Sequence, residues 1–342
     1  MKKLLNTLYV TSPDAYLGLD GENIVVRKDE EIAMRLPIHN LEAVVTFNYT
    51  GVSPALMKKC IENNVSISFF LGNQYCGRFV GQENGNVILR KTQYRFSDNT
   101  QKCLDIAQNM ILGKVYNERY VVNRALRDHE MRVNAEKLRH ASELLQKAIE
   151  SIRNCQALDE LRGYEGEAAT VYFHVFDELI LQNKDQFQFR GRNKRPPLDN
   201  VNALLSFVYS LLANECAGAA YSVGLDPYVG FMHRDRPGRK SLALDLMEEL
   251  RSPVADRFVL TLINKRQIAA DDFLEMEDHA VIMKDTGRKT VIQRWQEAKQ
   301  DTVQHPFLKE KVPMGLLPYV QALLLARYLR GDLDAYPPFF KR

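Results

Sequence analysis

Near residue 97 the spacing of apolar residues changes period, and that change limits the possible folds more than any bulk property. Before it, short β-branched or aromatic runs alternate with turn signals. The runs 7–10 (TLYV), 15–19 (AYLGL), 23–26 (NIVV), 43–45 (AVV) and 65–70 (VSISFF) read as strands. Ser12-Pro13-Asp14 and Asp20-Gly21 supply turns, and Asn84-Gly85 between 78–80 and 87–89 reads as a further hairpin. One short helix is predicted from Ser53, a capping residue, through Pro54 at the first helical position to about Glu62. Beyond residue 97 the period is helical over 99–124, 131–153, 157–182, 199–222, 241–263 and 310–331. The stretch 264–305 is less regular, with a short strand or loop at 277–282 before a helix around Trp295. The expectation is an α+β chain, with a small β-rich N-terminal domain over 1–92 and a larger all-α C-terminal domain over 97–342.

A chain of 342 residues, 45% of them hydrophobic, is long enough for two cores. Its formal charge of +3 is too small to identify a partner, but the charge is unevenly placed. Residues 186–195 (QFQFRGRNKR) carry four basic groups and no acid, and residues 234–240 (RDRPGRK) carry four against Asp235. Each run is either a solvated loop or a phosphate-binding one. The five cysteines are dispersed and form no CxxC pair, which fits a reducing cytosol. The opening MKKLLNTLYV is interrupted by Asn6 and Thr7 before a leader-like apolar stretch forms, and no apolar run reaches the ~18 residues of a membrane span. A soluble, cytoplasmic protein with no membrane partner is expected. Phosphate-binding GxxxxGK[ST], GxGxxG and GxSxG patterns are absent, which argues against NTPase, dinucleotide and serine-hydrolase chemistry.

Three metal-capable residues stand in otherwise apolar or basic surroundings: Glu165, His233 and Glu248. On a helical projection Leu161, Glu165, Ala169, Tyr172, Phe176 and Leu179 form one stripe that is apolar except for Glu165. Glu167 lies about 200° away, with His174 and Glu178 on the polar face. A carboxylate directed inward needs a partner, either Arg162 one turn earlier or a cation in a cleft. His233 follows Asp226-Pro227-Tyr228-Val229-Gly230 and reads as either a structural histidine or a ligand. Asp245 and Glu248 are one turn apart on a helix that Ser252-Pro253 kinks or restarts. They form a solvated acidic face with Glu249 and Arg251, or the wall of a cation site. Two carboxylates and an imidazole suit Mn²⁺ or Mg²⁺ better than structural zinc. Beside arginine-rich loops they point to phosphodiester chemistry on nucleic acid. His39, His129, His140, His174, His279 and His305 lack acidic or cysteine neighbours at ligand spacing and read as structural or surface residues.

Four ordered segments carry a resemblance: Gly163–Ala169 (GYEGEAA), Arg195–Phe207 (RPPLDNVNALLSF), Gly224-Leu225-Asp226-Pro227 through His233, and Ser241–Glu249 (SLALDLMEE). Together they resemble the CRISPR-associated endonuclease/integrase family, the catalytic subunit that inserts new spacers into a CRISPR array. The overall flavour is closest to subtype I-C versions. The resemblance implies that the helical domain is catalytic and that Glu165, His233 and Glu248 hold one Mn²⁺ or Mg²⁺ ion. Glu248 stands where some relatives have Asp. The resemblance makes Asp245 an accessory acidic residue, and Gly166 is expected to permit close helix packing beside the metal. It further implies prokaryotic cytoplasm, a homodimer joined largely through the N-terminal domains, and a small ferredoxin-like companion protein. The DNA partners would be the double-stranded spacer precursor and the CRISPR repeat. The reaction implied is attack of a DNA 3′-hydroxyl on a phosphodiester. Arg162, Arg190, Arg192, Lys194, Arg195, Arg234, Arg236, Arg239 and Lys240 are the candidate phosphate contacts. Tyr164 and Tyr228 either stack on bases or pack. Two rivals remain at this stage: a repair nuclease that cuts structured DNA without joining ends, and a catalytically silent DNA-binding scaffold in which Glu165 pairs with Arg162.

Overall fold

The computed structural model describes residues 7–341 apart from 11, 13, 30, 42, 48–49, 72–73 and 80–86. It divides into two compact units, Met1–Gly85 with Ile292–Gln300, and Asn86–Val291 with Asp301–Arg342.

The first unit is strand-rich. Its elements are β1 (Thr7–Val10), β2 (Tyr16–Asp20), β3 (Asn23–Lys28), β4 (Glu31–Pro37), β5 (Ala43–Thr46), α1 (Pro54–Glu62), β6 (Ser66–Leu71) and β7 (Gln74–Phe79). Strands β1, β5 and β6 run parallel, and β7 pairs antiparallel to β6. Strands β2, β3 and β4 form an antiparallel meander. Gly21, at φ +57°, lies in the two-residue turn between β2 and β3, where a side chain would be strained. Ser53 caps α1 by accepting the Leu56 N–H at 3.2 Å, with Pro54 behind it, as the sequence signals. The core gathers Leu17, Ile24, Ile38, Val44, Leu56, Cys60 and Ile67. Strand β4 was not anticipated, because Ile32 and Met34 are about half exposed and no inward-outward alternation marks it.

The second unit begins with α2 (Val87–Ser97). Val87-Ile88-Leu89, expected as one arm of a hairpin, is instead its first turn. Leu89 and Gln93, four apart, are the buried positions, while Val87 and Ile88 face solvent. The expected turn at Asn84-Gly85 lies outside the described residues. Then come α3 (Thr100–His129), α4 (Ala135–Asn154), α5 (Leu158–His174), α6 (Asn200–Ser222), α7 (Ser241–Leu250) and α8 (Arg257–Asn264). Two ribbons, β8 (Phe273–Glu275) with β9 (Val281–Met283) and β10 (Thr302–Gln304) with β11 (Lys311–Pro313), interrupt the helices. This part is therefore helical without being all-α. Between the ribbons in sequence comes helix α9 (Asp285–Gln300), whose Ile292–Gln300 part belongs to the first unit, and α10 (Leu317–Arg330) follows them.

Asn99 and Asn134 cap α3 and α4 by accepting the N–H groups of Lys102 and Lys137, each at 3.0 Å. The helix expected over 157–182 stops at His174 and continues as a 3₁₀ turn, Phe176–Leu179. Between α7 and α8 the backbone widens into a π turn, Arg251–Asp256, around Pro253, which cannot donate an intrahelical bond. Helix α6 is long and apolar enough by composition to cross a membrane, but 67% of that window is buried, so it serves as a core helix. The segment Tyr336–Lys341 is tied to the two helices that carry the site. Glu249 on α7 accepts bonds from the Tyr336 hydroxyl and the Phe339 N–H, and the Asn117 side chain on α3 accepts the Lys341 N–H.

Candidate functional site

Helix α3 is the floor of the site. Its buried face runs through Met110, Ile111, Lys114, Asn117, Glu118, Val121 and Val122, so an ammonium and a carboxyl are set into an apolar stripe. Lys114 Nζ forms an ion pair with Glu165 on α5 and another, at 2.8 Å, with Glu248 Oε2 on α7. The Lys114 and Glu248 side chains are each only 3% exposed, and Glu165 is 26% exposed. Arg251, on the first residue of the π turn, adds its Nη1 to Glu248 Oε1 at 3.2 Å and lies 4.9 Å over the Tyr209 ring. Burial alone would raise the Glu248 pKa. The charges of Arg251 and Lys114 overcome it and hold the carboxyl at about 2. Burial pulls the Lys114 ammonium down, but Glu248, Glu118 and Glu165 leave it above its usual value, hence charged.

His233 arrives on the loop after α6. Gln93 on α2 clamps that loop by donating to the Asp226 and Val229 carbonyls at 2.8 Å each, and accepts the Asp226 N–H at 2.9 Å. The chain then folds around Asp245. Its carboxylate accepts the N–H groups of Phe231, Met232 and His233 at 2.6, 3.0 and 3.0 Å, and meets His233 Nδ1 at 2.6 Å. Gly230 is required by that approach, since a Cβ there would fall 2.6 Å from Asp245 Oδ2. With Nδ1 bound to a carboxylate, the ring carries its proton there and turns the Nε2 lone pair toward Glu248, whose Oε1 is 3.9 Å away. Asp245 therefore positions the histidine rather than lining the cluster itself.

Glu165 and Glu248, from distant segments, thus meet at the buried Lys114 ammonium, and His233, from a third, faces Glu248 with Nε2 at 3.9 Å. Ala168, one residue from the predicted Ala169, fills the interior beside them, while Glu167 is exposed as expected. Arg162 does not pair with Glu165. Its guanidinium donates to the Met232 carbonyl at 2.9 and 3.2 Å and to Asp159 at 2.7 Å, so the ion-pair partner of Glu165 is Lys114 and not Arg162. The acidic residues of α7 are not a solvated face either, because Asp245 and Glu249 are fully buried and Glu248 nearly so. Gly166 plays no packing role, as a Cβ there would meet nothing within 4 Å.

The basic runs separate by role. Arg192 is turned inward, donating to Asn202 Oδ1 at 2.6 Å and Ser206 Oγ at 3.2 Å with its plane 5.4 Å from the Tyr209 ring. Arg190, Lys194, Arg195, Arg234 and Arg236 are exposed, whereas Arg239 and Lys240 are half-buried. Arg234 donates to Asp159 and Arg239 to the Arg234 carbonyl. Partial desolvation, then the charges of Arg251 and Arg192, lower the Lys194 pKa. Tyr228 is exposed and Tyr164 half-buried.

The donor chemistry fits a hard divalent cation: two carboxylates already share a positive group, and an imidazole with its other nitrogen tied faces them. In the present arrangement the position between the carboxylates belongs to the Lys114 ammonium. Among the described residues no three His, Cys, Asp or Glu side chains are yet grouped to hold a metal ion.

Glu118, one turn beyond Lys114, is fully buried, and its Oε2 finds no hydrogen-bond partner among the described residues. Burial pushes its pKa to about 8, with Lys114 opposing. Between the unfolded value of about 4.3 and that folded value, the native state binds more protons than the unfolded one, so stability falls as pH rises through this window. Glu118→Gln, a neutral isostere, is expected to flatten that slope, melting with wild type near about pH 5 and several degrees higher near about pH 8.5 in chelator. Parallel melting curves for the two proteins across that range would show that Glu118 is ionised in the fold.

The profile of the family described as CRISPR associated protein Cas1 matches residues 8–297. The chain belongs to the Cas1 family. A protein named CRISPR-associated endonuclease Cas1 2, from Rhodospirillum rubrum, is 50% identical over 345 residues, covering 99% of both chains. Among solved structures, a casposase bound to integration product shares the fold at TM-score 0.83 and 21% identity, over 98% of this chain and 94% of that one. A Cas6-RT-Cas1–Cas2 complex does so at TM-score 0.81 and 21% identity, over 98% of this chain and 36% of that one. The Cas1 relatives are named endonucleases, and the α+β arrangement, strand-rich then helical, is shared with these structures.

Proposed function

We propose that this Cas1 protein is a divalent-cation-dependent DNA endonuclease and integrase that joins the 3′-hydroxyl ends of short DNA fragments to a CRISPR repeat by transesterification, working in the cytoplasm of a prokaryote. The observation that carries this reading is the pairing of Glu165 and Glu248 on the buried Lys114 ammonium, with His233 Nε2 facing Glu248 at 3.9 Å, in a chain whose near relative is a named endonuclease. The casposase with the same fold is bound to integration product, which supports joining over cutting alone. When bound, Mn²⁺ or Mg²⁺ would supply charge stabilisation at the phosphoryl oxygens and assist deprotonation of a hydroxyl. The protein's own part is preorganisation. Arg251 keeps Glu248 ionised, Asp245 fixes the His233 tautomer, and Arg162 anchors the loop through the Met232 carbonyl. In this proposal the protein acts as a homodimer, of subtype I-C character, with a small companion in the place that Cas2 has in the Cas6-RT-Cas1–Cas2 complex.

The deciding experiment supplies a pre-cut duplex with free 3′-hydroxyls and a repeat-containing target, in Mn²⁺, in Mg²⁺ and in chelator. Joined product in either cation alone is expected. Cutting without joining, together with companion protein, would leave a nuclease. For DNA contacts the exposed Arg190, Lys194 and Arg195 are assigned to phosphates, and Arg192 is assigned to the interior. Charge reversal of those three is expected to weaken binding evenly across sequences and to lower the logarithmic salt slope by about 0.9 per lost contact. An unchanged slope in isotherms at several salt concentrations would take these residues off the DNA path.

A further inference from the structure

We infer that Lys114 is a resident counterion that holds the place of the divalent cation, so that the site loads metal strongly only when a DNA phosphate arrives. The inference rests on the assignment of Glu165, His233 and Glu248 as the cation's ligands and says how that site is regulated.

Two buried acids cannot face each other in an empty site without a compensating charge. Lys114 provides it. Its ammonium sits between Glu165 and Glu248, within 2.8 Å of Glu248 Oε2, and only 3% of the side chain is exposed. Arg251 shares Glu248 from the other side, at 3.2 Å. Two positive groups and two negative ones therefore balance before any metal enters. That count covers the groups that touch one another; the Asp245 carboxylate stands behind His233, held by three peptide N–H groups and Nδ1.

A divalent ion entering this cluster must push the ammonium off both carboxylates and leaves a local excess of two positive charges. Like charges at such separations repel strongly in a poorly solvated pocket. A phosphodiester and a second backbone phosphate restore the balance, and they offer the displaced Lys114 a new acceptor. Cation and DNA then raise each other's affinity by one shared factor. A chain so built keeps its nuclease site unloaded in free protein and loads it on the substrate.

The test measures Mn²⁺ binding through the loss of the free-ion spin-resonance signal, for wild type, Lys114→Gln and Lys114→Arg, with and without a non-cleavable duplex. Lys114→Gln is expected to bind Mn²⁺ at least about tenfold more tightly than wild type without DNA. Lys114→Arg should stay near wild type. Adding duplex should tighten wild type by a larger factor than Lys114→Gln. Wild type that binds Mn²⁺ in a Glu248-dependent way, with Lys114→Gln no tighter, overturns the inference and leaves the ligand assignment standing. Absence of Mn²⁺ binding in every form, with duplex present, overturns both.

A measurement on wild type alone covers the case in which Lys114→Gln does not fold. Acylation of lysines by acetic anhydride, read by mass spectrometry, should spare Lys114 in chelator and modify it once Mn²⁺ saturates the site. Protection that persists at saturation means that the ammonium never leaves its carboxylates, and overturns the inference.

Discussion

Glu248→Gln is expected to lower cation-dependent cleavage and joining by at least about a hundredfold, since even an outer partner of a metal ligand is worth roughly 10–100-fold. Glu248 is the most heavily engaged acid in the site. It faces His233 Nε2 at 3.9 Å, meets Lys114 at 2.8 Å and Arg251 at 3.2 Å, and is held ionised at about 2 by these two cations. Glutamine keeps the shape and one acceptor oxygen but removes the charge that a hard cation requires. Alanine is the worse probe. It would leave Lys114 and Arg251 buried without their shared partner, a loss of about 3–5 kcal/mol that confuses inactivity with unfolding. His233→Ala should lose activity comparably, and the buried Asp245 carboxylate that it uncovers keeps its three peptide N–H partners. Glu167→Ala, exposed on the opposite face of α5, serves as the silent control. Turnover assays at saturating Mn²⁺, with melting curves alongside, decide the matter. A Glu248→Gln enzyme working near the wild-type rate would remove Glu248 from the ligand set.

The sequence made much of this site legible because polar residues broke apolar periodicity. Glu165 was directed inward by the Leu161–Tyr172 stripe, and it does point into the interior. The same test on α3 would have found Lys114 and Glu118, which interrupt the run from Ile111 to Val121; length and an unbroken helical period hid them. Which partner Glu165 takes was not legible, since Arg162 and Lys114 are both cations and only the fold brings one of them across from another helix. Arg192 and Arg195 look alike in a basic run, yet one is spent on Asn202, Ser206 and Tyr209 while the other is exposed. Glycine was misread in the same way. Gly166 beside the metal-capable acid is open to solvent, and Gly230, unremarked, has a carboxylate oxygen where its Cβ would be. In the first unit the buried strands declared themselves by β-branched runs, whereas β4, exposed from Glu31 to Arg35, had no alternating burial pattern to declare.

Asp245→Asn separates a positioning residue from a metal ligand. The two carboxylate oxygens of Asp245 divide four donors between them: Oδ2 takes the Phe231 and Met232 N–H groups, and Oδ1 takes the His233 N–H and Nδ1. An asparagine has only one such oxygen. Turned toward Phe231 and Met232, it sets its own N–H₂ against the His233 backbone donor and forces Nδ1 to become an acceptor, so the ring proton moves to Nε2. Turned the other way, it strands the two peptide donors. Two buried donors without partners cost about 2–6 kcal/mol together, so a drop of many degrees in melting temperature is expected. The first rotamer also removes the Nε2 lone pair that faces Glu248, and Mn²⁺ affinity should fall by roughly 10–100-fold. Nitrogen-15 chemical shifts of the His233 ring report the tautomer directly. A variant that weakens Mn²⁺ binding while His233 keeps its proton on Nδ1 would make Asp245 a ligand in its own right. One in which affinity and tautomer are both unchanged would mean that the loop, and not the carboxylate, orients the histidine.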